Sequence, residues 1–199
     1  MHVLVINLDR SPERLLSTQS ELARVGLTAT RVPAVDGRLL ELDASGNLPG
    51  YKKRGQAKEY YYRGTAGCYY SHIRALEAAL HADQWPCLIV EDDIIILREG
   101  ELLIPDTPKD IIYFGGLDDP MKGLVYGGHA ICYRTRNAAA IVLNYQLEHP
   151  GVADLNITQL NKLLDCCHYA RPYRIWQRDG YSLIQERMMK RFSSKNPLP

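Results

Sequence analysis

The chain carries almost no net charge, no apolar run of membrane-spanning length and no cysteine framework. Its 24 Lys and Arg nearly cancel 23 Asp and Glu, leaving a formal charge of +1. That balance excludes the broad basic surface of a nucleic-acid binder. Five cysteines, an odd number at irregular spacing, do not form the disulfide scaffold of a small secreted domain. No pair of them has zinc-finger spacing. The N-terminus shows no basic leader with a long apolar core, because Val3 to Ile6 enter a strand at once. There is no internal repeat, no Walker A loop and no G-x-G-x-x-G element, which counts against nucleoside-triphosphate kinases and dinucleotide enzymes. The expectation is a cytoplasmic protein that touches a membrane at most peripherally, through the basic residues of 190–195.

What is present suits one α/β domain. At 199 residues, 46% hydrophobic and 24% charged, the chain can bury a sizeable core. The domain is expected over 1–190, with a flexible basic tail over 191–199. His2 to Leu8 reads as a first buried strand, Ser11-Pro12-Glu13 as a helix start, Gly26 as its stop, and Thr28 to Val35 as a second strand. Strand, helix, strand opens a parallel sheet. The pattern lapses from Arg38 to Arg63, where lysines and tyrosines suggest a lid or binding loop that meets sugars and phosphates, with a poorly ordered, solvated loop as the competing reading. A helix is expected over Thr65 to Ala82. If its N-terminus is free, Ser71, His72 and Arg74 fall near a bound diphosphate. Later strands are expected over Asp110 to Phe114, Leu124 to Tyr133 and Tyr173 to Gln177, with helices over Thr135 to Leu147 and Ile157 to Cys167.

The stretch that organises the rest is Cys87 to Ile96. Leu88 to Val90 form an apolar run suited to a strand buried on both faces. Glu91, Asp92 and Asp93 follow at once. Like charges beside a buried strand repel one another unless a cation neutralises them. Glu91 and Asp93 are two apart and share a side if the segment is extended. Two hard oxygen ligands with room for water and phosphate describe a Mn²⁺ or Mg²⁺ site for a nucleotide diphosphate. A solvated acidic turn is the competing reading.

Four motifs in order resemble glycosyltransferase family 25, the lipooligosaccharide and procollagen galactosyltransferase group. They are Val5 to Arg14, Pro33-Ala34-Val35-Asp36-Gly37, Gly67-Cys68-Tyr69-Tyr70-Ser71-His72, and Ile89-Val90-Glu91-Asp92-Asp93. Fainter echoes follow in Ile112 to Gly115, Gly128 to Tyr133 and Val152-Ala153-Asp154. The resemblance implies a GT-A-like domain, a mostly parallel central sheet flanked by helices with the metal motif at a strand end. It also implies inverting transfer of a hexose, galactose or glucose, from a UDP-sugar with Mn²⁺. The acceptor would be the hydroxyl of a glycan, glycolipid or protein.

On that reading Glu91 and Asp93 hold the metal, with Asp92 beside them at the nucleotide. Asn7, Arg10, Arg14 and Asp36 lie near strand ends as candidate nucleotide contacts, with capping or salt-bridge roles as the competing reading. The proton of the acceptor hydroxyl goes to a carboxylate, Asp154 first and Asp118 or Asp119 behind it. Two other classes compete: a metal-dependent phosphoesterase or phosphoryl-transfer enzyme built on the same acidic cluster, and a non-catalytic nucleotide-sugar-binding module.

Overall fold

The computed structural model describes residues 1–48, 50–51, 59–97, 102–119, 124–178, 180–182 and 187–189, with backbone only at 59–61, 119, 124, 180–182 and 187–189. The tail and the lysines of 52–58 therefore lie outside the described residues.

The chain opens as β1 (His2–Asn7), α1 (Pro12–Ala23), β2 (Thr30–Pro33), α2 (Glu59–Ala82) and β3 (Cys87–Glu91). It continues as β4 (Ile94–Ile96), β5 (Ile111–Asp119), β6 (Leu124–Tyr133), α3 (Arg136–Glu148) and α4 (Ala153–Leu164). It closes with β7 (Cys167–Tyr169), β8 (Ile175–Gln177), β9 (Gly180–Ser182) and β10 (Arg187–Met189). Pro12 at the first position of α1 loses no hydrogen bond there, and Gly26 leaves that helix with φ +73°. Thr135 caps α3 by accepting the Ala138 amide through its hydroxyl.

Six strands form the central sheet in the order β2-β1-β3-β6-β5-β7. β1 runs parallel to β2 and β3, and β7 runs parallel to β5, while β6 is antiparallel to both β3 and β5. Five strands thus share one direction, which is the mostly parallel α/β sheet expected. Alternate residues of each strand serve opposite faces. Leu4, Ile6, Ile89, Tyr113 and Ile131 pack on the side covered by α2, α3 and α4. Val3, Val5, Leu88, Val90, Ile112 and Cys132 pack on the other, with Leu22 of α1 and with Ile94, Ile96 and Ile175 of the paired β4 and β8. Burial on both faces explains the continuous apolar runs of β1 and β3.

Three expectations change. The helix expected from Thr65 begins at Glu59, because Tyr62, Ala66, Tyr69 and Ile73 extend its apolar stripe backwards at helical spacing. Tyr51 and Tyr62 are buried in that cluster, and the Tyr62 hydroxyl accepts from the Leu48 amide and donates to the Tyr51 carbonyl. Those two tyrosines are core, not a sugar platform. Finally, α4 starts at Ala153, ahead of the expected Ile157, and ends at Leu164, so Cys167 opens β7 and packs from there into the core beneath the helices.

Candidate active site

Because β6 runs against its neighbours, its first half reaches the same sheet edge at which β1, β3 and β5 finish. Val90 pairs with Ala130, which sets Glu91 beside the Gly128–His129 segment. Open α/β sheets bind ligands at this edge.

Glu91 is the last residue of β3, and Asp92 and Asp93 form the tight turn into β4. The segment turns after Glu91 and is not extended through Asp93, and Asp92 departs from the other two carboxylates. Asp92 is buried, accepting from Asn7 Nδ2 at 2.7 Å and pairing with Arg14 at 2.5 Å. Burial pushes its carboxyl up, and Glu91 adds to this, while Arg14 and Asn7 pull it down. Glu91 and Asp93 instead face a common donor. Gln177 Nε2 at the end of β8 lies 3.0 Å from Glu91 Oε2 and 3.4 Å from Asp93 Oδ1.

Asn7 and Arg14, expected at the nucleotide, hold the turn from behind. Asn7 is buried, donates also to the Ser11 carbonyl, and accepts from Arg31 Nε at 3.0 Å. Arg14 reaches Asp93 at 3.1 Å as well as Asp92. Arg10 and Asp36 pair with each other at 2.8 Å, and Asp36 caps the short 3₁₀ turn of 37–39 through the Arg38 amide. Burial raises the Asp36 carboxyl, but the guanidinium groups of Arg38 and Arg10 outweigh it and hold it well below the carboxylate range.

On α2, Ser71, His72 and Arg74 lie far inside the helix, so the N-terminus of α2 itself is not beside them. Arg74 is exposed. Ser71 Oγ donates to the Gly67 carbonyl at 2.6 Å and accepts from the Val35 amide at 2.8 Å. A Cβ on Gly67 would sit 2.7 Å from the Val35 carbonyl oxygen and 2.8 Å from the Gly37 nitrogen. The Pro33–Gly37 and Gly67–His72 motifs are therefore packing partners, and only glycine permits their approach. His72 is the member that reaches the cleft. Its Nε2 lies 3.2 Å from Glu91 Oε1, and Cys68 stands one helical turn before it.

Asp154 occupies the first turn of α4. Its Oδ2 accepts from the Gly127 amide at 2.7 Å, and its Oδ1 is buried without a hydrogen-bond partner. Gly127 makes that approach at φ +90°. Burial pushes the Asp154 carboxyl up and Glu91 adds to the push, while the Gly127 and Leu155 amides and His72 oppose it. Asp154 thus belongs to the same charge system as Glu91 and His72.

Asp118 does not belong to that system. Arg171 holds it at 2.9 Å and 2.5 Å, and the Tyr173 hydroxyl donates to it at 3.1 Å. Those bonds, with the Arg171 contribution first, pull its carboxyl down and make it a poor proton acceptor. Asp119 ends β5, and its side chain is outside the described residues.

Sequence reasoning missed Cys68 and Gln177. The i, i+4 spacing of Cys68 and His72 on one helix was a usable signal. Gln177, a lone amide closing a three-residue strand, offered none. A hard divalent ion suits the acidic side of the cleft, because Glu91 and Asp93 present carboxylate oxygens around one shared donor.

The family model of glycosyltransferase family 25 (LPS biosynthesis protein) matches residues 1–113. The chain belongs to this family. A glycosyltransferase 25 family member of Drosophila pseudoobscura pseudoobscura is 31% identical over 131 residues, covering 57% of this chain and 20% of that protein. Its counterpart in Aedes aegypti is 32% identical over 126 residues, covering 57% and 21%. The chain spans about a fifth of the length of these curated relatives. A crystal structure of a glycosyltransferase involved in glycosylation of the major capsid of PBCV-1 overlaps with a TM-score of 0.39 at 9% identity, covering 75% of this chain and 68% of that one. That overlap is too low to carry an argument. Among the described residues, no helix is long and apolar enough to cross a membrane.

Proposed function

We propose that this chain is a metal-dependent inverting glycosyltransferase. It moves a hexose, galactose or glucose, from a UDP-sugar to a hydroxyl of a glycan, glycolipid or protein. The observation that carries this reading is the convergence of Glu91, Asp93 and Asp154 at one sheet edge, beside the glycine backbone of β6. Glu91 and Asp93 would hold Mn²⁺ or Mg²⁺, which when bound supplies the positive charge that stabilises the departing diphosphate.

The protein's own residues account for the rest. Arg14 and Asn7 clamp Asp92 and so fix the turn that presents Asp93. In the transfer, the acceptor oxygen bonds to the anomeric carbon as the bond from that carbon to the diphosphate oxygen breaks. The acceptor proton passes to Asp154, and UDP leaves with the bonding electrons. Burial favours the neutral form of Asp154, which makes its carboxylate a stronger base than an exposed aspartate. The Gly127 amide fixes Oδ2 and leaves Oδ1 for the proton.

Calorimetric titration with UDP, UDP-galactose and UDP-glucose, each with Mn²⁺ and with chelator, tests the reading. Metal-dependent binding that Asp93→Ala abolishes is the expected result. Absence of binding to every UDP compound in the presence of Mn²⁺ sinks it.

A further inference from the structure

We propose that Cys68, His72 and Glu91 form a binding site for a divalent ion of the zinc class. Cys68 and His72 lie one turn apart on α2 and so share a face, and Glu91 meets that face from the end of β3. A ligand atom from each, thiol sulfur, imidazole nitrogen and carboxylate oxygen, lies within 4.8 Å of the other two. Tetrahedral coordination at ordinary zinc bond lengths sets such atoms about 3.3–3.8 Å apart, so only a small contraction is required. Sulfur and imidazole donors select zinc or cobalt over magnesium and calcium.

Two further observations point to a ligand there. Asp154 is buried with Oδ1 unpartnered, and its carboxylate is in electrostatic repulsion with Glu91 and attraction with His72. A cation at the cluster offsets that repulsion. In addition, β6 backbone presses on the His72 ring: a Cβ at Gly128 would sit 3.1 Å from its Cε1. That close backbone limits the room in which the ring can turn, and its Nε2 already lies toward Glu91.

Glu91 separates this site from the proposed donor metal. Its Oε1 faces His72, and its Oε2 faces Gln177 and Asp93. The inference shares Glu91 with the proposed function but requires neither UDP-sugar binding nor transfer.

Titration of chelator-treated protein with Co²⁺ tests it. The expected result is one equivalent bound, with a near-ultraviolet thiolate-to-cobalt charge-transfer band that Zn²⁺ bleaches. Cys68→Ser and His72→Gln lose the band while circular dichroism stays native, and Asp93→Ala and Cys166→Ser keep it. Absence of the band overturns the proposal, as does a band that survives Cys68→Ser or one that disappears in Cys166→Ser. Failure of the donor reading leaves the cobalt band in place. Failure of this one leaves Mn²⁺-dependent UDP binding in place.

Discussion

Gln177 donates its side-chain amide to Glu91 Oε2 at 3.0 Å across 86 residues of chain, and the same nitrogen lies 3.4 Å from Asp93. A neutral donor thus bridges two carboxylates, and Arg14 meets one of them, Asp93, at 3.1 Å. Gln177→Ala leaves those carboxylates facing each other without it. Its melting temperature is expected to fall by several degrees in chelator, a loss of about 1–3 kcal/mol, and by much less with Mn²⁺ present. An equal fall under both conditions would contradict this account.

Asp154→Asn separates stability from activity. The Asp154 carboxyl is raised, so folding disfavours its ionised form. At pH values where both folded and unfolded chains are protonated there, it costs nothing. As pH rises, the unfolded chain ionises first and stability is lost until the folded group also ionises. The asparagine variant lacks that loss. In urea titrations with chelator from pH 4 to 7, its stability advantage over the native protein should widen with pH. Transfer activity should drop by about 10²-fold or more. A gap that narrows with pH would be inconsistent with a carboxyl destabilised by burial.

Asp118→Asn should do neither. The Asp118–Arg171 pair is largely exposed, and such pairs contribute up to about 1 kcal/mol. Activity within about threefold of native is the expected outcome in a transfer assay. A loss comparable to that of Asp154→Asn would make Asp118 the base.

Gly67→Ala reverses the ordinary sign of a helical glycine replacement. Alanine inside a helix normally gains about 1 kcal/mol. Here the new Cβ would fall 2.7 Å from one backbone atom and 2.8 Å from another, and such overpacking costs about 1–3 kcal/mol. Chemical denaturation should show net destabilisation. A more stable variant would show that the 33–37 segment can retreat from α2.

Legibility in the sequence followed local pattern. β1, β3 and β6 were readable because strands buried on both faces are short, apolar and bounded by turn residues. The acidic turn was readable because three carboxylates directly after such a strand demand an explanation. The start of α2 was hidden because Tyr60-Tyr61-Tyr62-Arg63-Gly64 looks polar and irregular, although Tyr62 packs inward. The first turn of α4 was hidden by the His149-Pro150-Gly151 break, which hides Asp154 inside a helix rather than before it. Asn7 and Arg14 were located but not assigned, because pairing with Asp92 depends on how β1 and β3 lie side by side. Gln177 reaches the site through the pairing of β4 with β8, which no local pattern announces.

The reversed direction of β6 brings late parts of the chain to a cleft whose other groups come from its first half. Cys68, His72, Glu91 and Asp93 are synthesised first, whereas Gly127, Asp154 and Gln177 arrive later from strands and a helix that must dock against them. Until then the acidic turn stands without its amide donor and the His72 ring without the backbone that presses on it. Ligand binding is therefore a property of the finished sheet, and during refolding it should appear after most of the helical signal has returned.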